Sequence, residues 1–248
     1  MNKKNLKIEI ARTVSLVSVV FIVGVALTAC QSSVSVKKVD LQNSDFAYPT
    51  KDPSVADGKK LFSANCAQCH GFENGEKKAH NFSLKFVNST LPSQLFKTIT
   101  GDKKHASFKD KLSIKERWDV VMYLRYQLFG LPKDAEDIKT KFGGNCAVCH
   151  GTRGFADGNL HYYLNPPPAN FNQFERLYER TDEKIFDEIA NGIPWTAMPP
   201  WAGRHDKDKN FDFNDEFIWE LVKHVRAFGY TTEADVLRDE KLFKGEKK

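Results

Sequence analysis

Two pentapeptides constrain this chain more than anything else in its 248 residues: Cys66-Ala67-Gln68-Cys69-His70 and Cys146-Ala147-Val148-Cys149-His150. They start 80 residues apart and hold four of the five cysteines. A zinc ribbon would bring its two Cys pairs much closer than Cys69 is to Cys146, and would not need a His after each. A redox Cys-x-x-Cys calls for a thioredoxin-like βαβ pattern. The apolar residues here recur instead at spacings of three and four, which is a helical period.

Cys-x-x-Cys-His is the signature of covalent haem c attachment. The two thiols add across the haem vinyl groups, and the adjacent histidine becomes the proximal iron ligand. The motifs therefore predict two haem c groups, held by Cys66 and Cys69 and by Cys146 and Cys149, with His70 and His150 on the irons. Disulfides suit an exported chain, but haem attachment consumes all four of these thiols. Only Cys30 is left over.

The motifs sit inside an internal repeat. Phe-x-x-Asn-Cys precedes both, from Phe62 to Cys66 and from Phe142 to Cys146. Trp118 to Arg125 and Trp219 to Arg226 read as equivalent helices that end at Phe129-Gly130 and Phe228-Gly229, and glycine there is a helix stop signal. Ser113 with Glu116 makes a capping box for the first of them. Shorter helices are expected at about 93–100 and 182–190, the second capped by Thr181. Leu95, Phe96 and Ile99 repeat as Ile185, Phe186 and Ile189.

This pattern resembles the class I cytochromes c in a tandem di-haem form. The resemblance implies an all-α fold of two domains, each wrapped around one haem, at 53–130 and 131–229. It is similar to the di-haem subunits that feed terminal oxidases and to di-haem periplasmic carriers. The family's Gly-x-x-x-x-Met-Pro ligand loop is matched, with one extra residue, by Gly192 to Pro199, so Met198 is the expected sixth ligand of haem two. A proline carbonyl of the Pro166-Pro167-Pro168 run is expected to orient His150. Arg153 is read either as a propionate partner or as an exposed arginine.

Repeat one departs from the family. Registering Phe108 on Trp201 puts His105 opposite Met198, and His105 is our expected sixth ligand for haem one. His80, Met122 and an open five-coordinate haem remain as alternatives. Repeat symmetry with Lys223 makes Met122 a surface or rim residue. His161, His205 and His224 read as loop or helix residues without a ligand role.

The N-terminus reads as an address. Lys3, Lys4, Lys7 and Arg12 precede an apolar run that ends Leu27-Thr28-Ala29-Cys30. That string resembles the lipobox of bacterial lipoproteins, which implies cleavage before Cys30 and a diacylglycerol on its thiol. An uncleaved membrane anchor over 13–29 is the other reading. Gln31 rather than Asp after Cys30 points to the outer membrane. The chain then divides into a signal at 1–29, a tether at 30–52, the two haem domains, and a charged tail at 230–248.

The net charge of +5 is too small and too mixed for a nucleic-acid binder. It is unevenly spread. Residues 53–130 hold 13 bases and 7 acids, whereas 131–229 hold 12 bases and 16 acids. Lys97, Lys103, Lys104, Lys109, Lys111 and Lys115 surround the His105 loop, a field that would steer an acidic redox partner, or else a solvated face. The expectation is a membrane-tethered cytochrome that passes single electrons between extracytoplasmic respiratory partners, and not an enzyme. A di-haem peroxidase, if haem one is open, and a fixed subunit of an oxidase or dehydrogenase complex are the alternatives.

Overall fold

A computed structural model describes residues 46–102, 105–206 and 211–230. The signal, Cys30 and most of the tether lie outside the described residues, as do Lys103, Lys104 and the tail beyond Tyr230. No helix among the described residues is long and apolar enough to cross a membrane.

Repeat one begins with α1 (Val55–Asn65), where Ser54 caps the first turn by accepting from the Asp57 N–H at 3.2 Å. After the first Cys-x-x-Cys-His come β1 (His70–Phe72) and β2 (His80–Phe82), a short parallel pair in which His70 faces His80. Then follow α2 (Leu84–Ser89), α3 (Pro92–Gly101) and α4 (Ile114–Phe129). The expected capping box is present: the Ser113 hydroxyl accepts from Glu116 N–H, and the Glu116 carboxylate accepts from Ser113 N–H at 2.8 Å. Gly130 closes the helix at φ 72°. Helices α1 and α4 cross at close range because Gly58 has no Cβ; one built there would lie 1.9 Å from the Asp119 carbonyl oxygen.

Repeat two copies this plan. It has α5 (Ala135–Asn145), the single turn α6 (Ala147–His150), α7 (Phe174–Tyr178), α8 (Asp182–Asn191) and α9 (Asp215–Ala227), with a two-residue antiparallel pair of β3 (His205–Asp206) and β4 (Phe211–Asp212). Thr181 caps α8 as expected, accepting from Lys184 N–H at 3.0 Å. Ile138 stands where repeat one has Gly58 and is buried. In each repeat one aromatic or imidazole ring on the last helix meets the phenylalanine before the motif: Tyr123 on Phe62 at 5.4 Å, and His224 on Phe142 at 4.8 Å.

The two repeats share one seam, and the chain's contacts divide nowhere between them. Its centre is Asp182, fully buried, bonded by both Arg125 of α4 and Arg226 of α9. These arginines are repeat mates. Each also ties down the carbonyls ahead of the following helix: Arg125 those of Val87 and Thr90, Arg226 those of Leu177 and Arg180. Burial pulls the Arg125 guanidinium down to about 10 despite Asp182, so it stays charged at neutral pH. Around the cluster Trp118 packs on Tyr178 at 4.5 Å, and Ser93 and Tyr48 both donate to Glu179 at 2.9 Å. Met122, expected at the surface, is buried here, because the second domain covers that part of α4.

Asp182→Ala leaves two buried guanidiniums without their carboxylate and should cost about 3–5 kcal/mol in denaturant unfolding. His224 is half-buried with no hydrogen bond to its Nε2, and burial, helped by Lys139, pulls its imidazole down to about 4. The unfolded side chain titrates at about 6.5. The unfolded chain therefore binds more protons between those values, so the stability from neutral His224 is complete above pH 6.5 and is lost as pH falls toward 4. The loss should be roughly 3 kcal/mol, and His224→Tyr, the residue of repeat one, should flatten it.

Two candidate haem sites

Each Cys-x-x-Cys-His is wound into one helical turn. The N–H groups of Cys149 and His150 both donate to the Cys146 carbonyl, at 3.2 and 3.0 Å, and those of Cys69 and His70 do the same to Cys66. Residues i, i+3 and i+4 of such a turn share a face, so both thiols and the imidazole point to one side. None of the four sulfurs is tied up in a disulfide. Burial raises the pKa of the Cys146 and Cys66 thiols. Among the described residues no cluster of three or more His, Cys, Asp or Glu is arranged to hold a metal ion.

In repeat two these groups form one wall of a cleft of about 270 Å³, with Met198 on its lining as well. His150 donates from Nδ1 to the Ala169 carbonyl at 3.0 Å and stacks on Phe171 at 4.6 Å and 16°. The acceptor is Ala169 and not one of the three prolines before it, although all three prolines line the cleft. With Nδ1 donating, Nε2 keeps its lone pair. Burial lowers the His150 pKa, which holds the ring neutral. Ile185, Ile189, Leu177 and Val225 supply apolar walls. The Met198 loop is drawn tight by Gly192 at φ 70°, where a Cβ would meet the Met198 carbonyl at 2.7 Å. A deep apolar slot with two thiols, a neutral oriented imidazole and a thioether fits a covalently bound haem. Arg176 and Arg180 line this cleft, with Glu188 paired to Arg180 at 3.2 Å. Arg153 does not line it and lies over the Phe155 ring instead. The two lining arginines gave no signal in the sequence, because nothing in their spacing ties them to the motif.

Repeat one carries the same framework with different groups. Phe82 stacks on His70 at 4.9 Å and 12°, as Phe171 does on His150. An asparagine precedes each phenylalanine, and before it stand His80 and Ala169. His80 is thus the repeat mate of the residue that orients the proximal histidine. Its backbone carbonyl supports His70, but no well-formed hydrogen bond closes on the buried His70 Nδ1. His105 approaches from the other loop, its ring centroid 5.9 Å from that of His70 and its Nδ1 bonded to the Ala106 carbonyl at 2.9 Å. The His80 ring also borders His70, with its centroid 5.6 Å away. The register used to align His105 with Met198 also holds in the backbone. Phe108 N–H donates to the Ile99 carbonyl at 3.0 Å, and Trp201 N–H donates to the Ile189 carbonyl at 3.2 Å. Buried Met122 lines the seam pocket with Arg125 and Tyr178. His161 bonds the Gly158 carbonyl, and His205 bonds Asp212.

The family model described as cytochrome c oxidase, cbb3-type, subunit III matches residues 53–124 and 133–225, one motif in each segment. The chain belongs to this family of tandem di-haem cytochromes c. It is 31% identical over 195 residues to the cbb3-type cytochrome c oxidase subunit FixP of Bradyrhizobium sp. (strain ORS 278), covering 68% of this chain and 64% of that one. It is 25% identical over 196 residues to FixP of Sinorhizobium medicae, covering 71% and 61%, and 27% identical over 199 residues to the cbb3-type subunit CcoP of Azospirillum sp. (strain B510), covering 71% and 62%. The chain thus spans a little under two thirds of the length of these relatives. Two tandem class I cytochrome c domains and two haem c groups follow from membership.

Proposed function

We propose that this chain is the electron-transfer subunit of a cbb3-type terminal oxidase, carrying single electrons on the periplasmic side of a bacterial membrane. The observation that carries this is the placing of two thiols, His150 and Met198 around one apolar cleft in a chain of the cbb3 subunit III family. The relatives favour the fixed subunit over the free carrier and give the peroxidase alternative no support. On this reading Cys30 carries the lipid, and the anchor lies on the membrane that holds the oxidase rather than on the outer membrane suggested by Gln31.

Bound haem supplies a reversible one-electron iron couple. The chain's own residues do the rest. Cys66 and Cys69, and Cys146 and Cys149, hold the two groups covalently. His150, oriented by Ala169, and Met198 would hold the iron at site two. His70 and His105 would hold it at site one, with the His80 backbone beside His70. A thioether favours reduced iron more than a second imidazole does, so Met198 would give site two the higher potential and electrons would pass from site one to site two. The Asp182 seam fixes the separation they cross. Arg176 and Arg180 offer charge-assisted hydrogen bonds to propionates.

Near-infrared magnetic circular dichroism of the oxidised protein should show one bis-histidine and one histidine–methionine charge-transfer band. His105→Ala should make only site one high-spin, and His80→Ala should leave both low-spin; a high-spin haem in the wild type contradicts the assignment. The basic surface of domain one steers an acidic donor, so reduction through site one should slow steeply between 50 and 300 mM salt, values chosen to bring the screening length from about 14 Å to about 6 Å.

A further inference from the structure

Trp195 is fully exposed and sits at φ 63°. It occupies the third position of the turn Ile193-Pro194-Trp195-Thr196, which Thr196 N–H closes on the Ile193 carbonyl at 3.2 Å. Proline at the second position and a positive φ at the third describe a turn that calls for glycine or asparagine at the third. The chain instead puts its largest side chain there. The indole gains nothing from burial, and a bulky residue at positive φ is strained. The strain lies in the loop that carries Met198. Ile193, Thr196 and Ala197 line the cleft, whereas Trp195 does not and projects outward at its mouth. Leu164 lines the same cleft, and the residues before it in sequence, Tyr162 and Tyr163, are 85% and 84% exposed.

We propose that Trp195 is the contact through which site two docks its redox partner, and that this partner is a protein presenting a basic surface around its own redox centre. The inference rests on the proposed function and adds the partner's chemistry. An exposed aromatic anchor beside an apolar lip is the composition of an interface centre, where Trp and Tyr dominate the binding energy. The charge of the partner follows from the surroundings. Helix α8 leads into the loop with Glu183, Lys184 and Asp187 exposed, the lining Arg180 is paired with Glu188, and residues 131–229 carry 16 acids against 12 bases. Domain one is basic, so one chain offers two faces of opposite sign, one for each partner.

The test is electron exchange measured by stopped flow on the haem-loaded full chain. The probes are a lysine-rich mono-haem cytochrome c, an acidic copper protein and a small metal-ammine ion. Trp195→Gly removes the anchor and relieves the turn, so the protein should fold at least as stably as the wild type and keep its histidine–methionine band. Exchange with the basic cytochrome should fall by about tenfold or more, while exchange with the small ion stays unchanged. Trp195→Phe should recover most of the loss. An unchanged rate with the basic cytochrome overturns the proposal. So does a larger loss with the acidic protein, or a wild-type dimer that Trp195→Gly dissociates, which would assign the patch to a second copy. A wild type without the histidine–methionine band overturns the reading of site two itself, an outcome separate from the loss of docking.

Discussion

One buried carboxylate organises this protein. Asp182 accepts from both Arg125 and Arg226, and the three side chains are almost wholly withdrawn from water. Two guanidiniums so close would repel and pay full desolvation without it. Each arginine also holds two backbone carbonyls at the entrance to the next helix, so the cluster fixes α3 and α8 as well as the seam. Those helices lead into the His105 and Met198 loops. The interaction that joins the domains therefore also sets where their distal ligand loops start. Domain packing and ligand geometry are one mechanical problem here, and a tethered pair free to reorient is not what this contact network builds.

Within that shared frame, the loops between the helices carry different groups in the two repeats. Phe82 and Phe171 stack alike on the proximal histidines, and Phe108 and Trp201 anchor the distal loops through the same backbone bond. The two loops carry different groups, His105 in one and Met198 in the other. A rigid scaffold can vary its loop residues without altering how its helices pack.

Much of this was legible in the sequence because it is local. The Cys-x-x-Cys-His turns, the Ser113 and Thr181 caps and the helices after them depend on residues three or four apart, and such spacing survives in one dimension. Phe108 and Trp201 were legible as repeat mates, and each closes its loop onto the helix before it. The seam was not. Asp182 reads as an ordinary first-turn acid after a Thr cap, yet its partners lie 57 and 44 residues away with no periodicity to connect them. Met122 was misplaced for the same reason. Repeat symmetry transfers an environment only where both repeats face the same surroundings, and Met122 faces the other domain whereas Lys223 pairs with Glu220. His80 was left open because spacing alone does not place it; it stands two residues before Phe82, which stacks on His70.

The same logic explains why Trp195 stands out only in three dimensions. In sequence, Ile-Pro-Trp-Thr before a ligand methionine is one more aromatic residue in a chain rich in them. The backbone shows that the turn is built for a residue without a side chain. A scaffold that places glycine at φ near 70° elsewhere, as at Gly192 in the same loop, has the means to avoid this strain. Gly192 cannot be anything larger, because the Met198 carbonyl crowds it. Trp195 meets no such crowding and is costly for the opposite reason. One loop thus holds a position set by packing and a position set by what lies outside the molecule. The first keeps the sulfur at the cleft, and the second has no use within the fold.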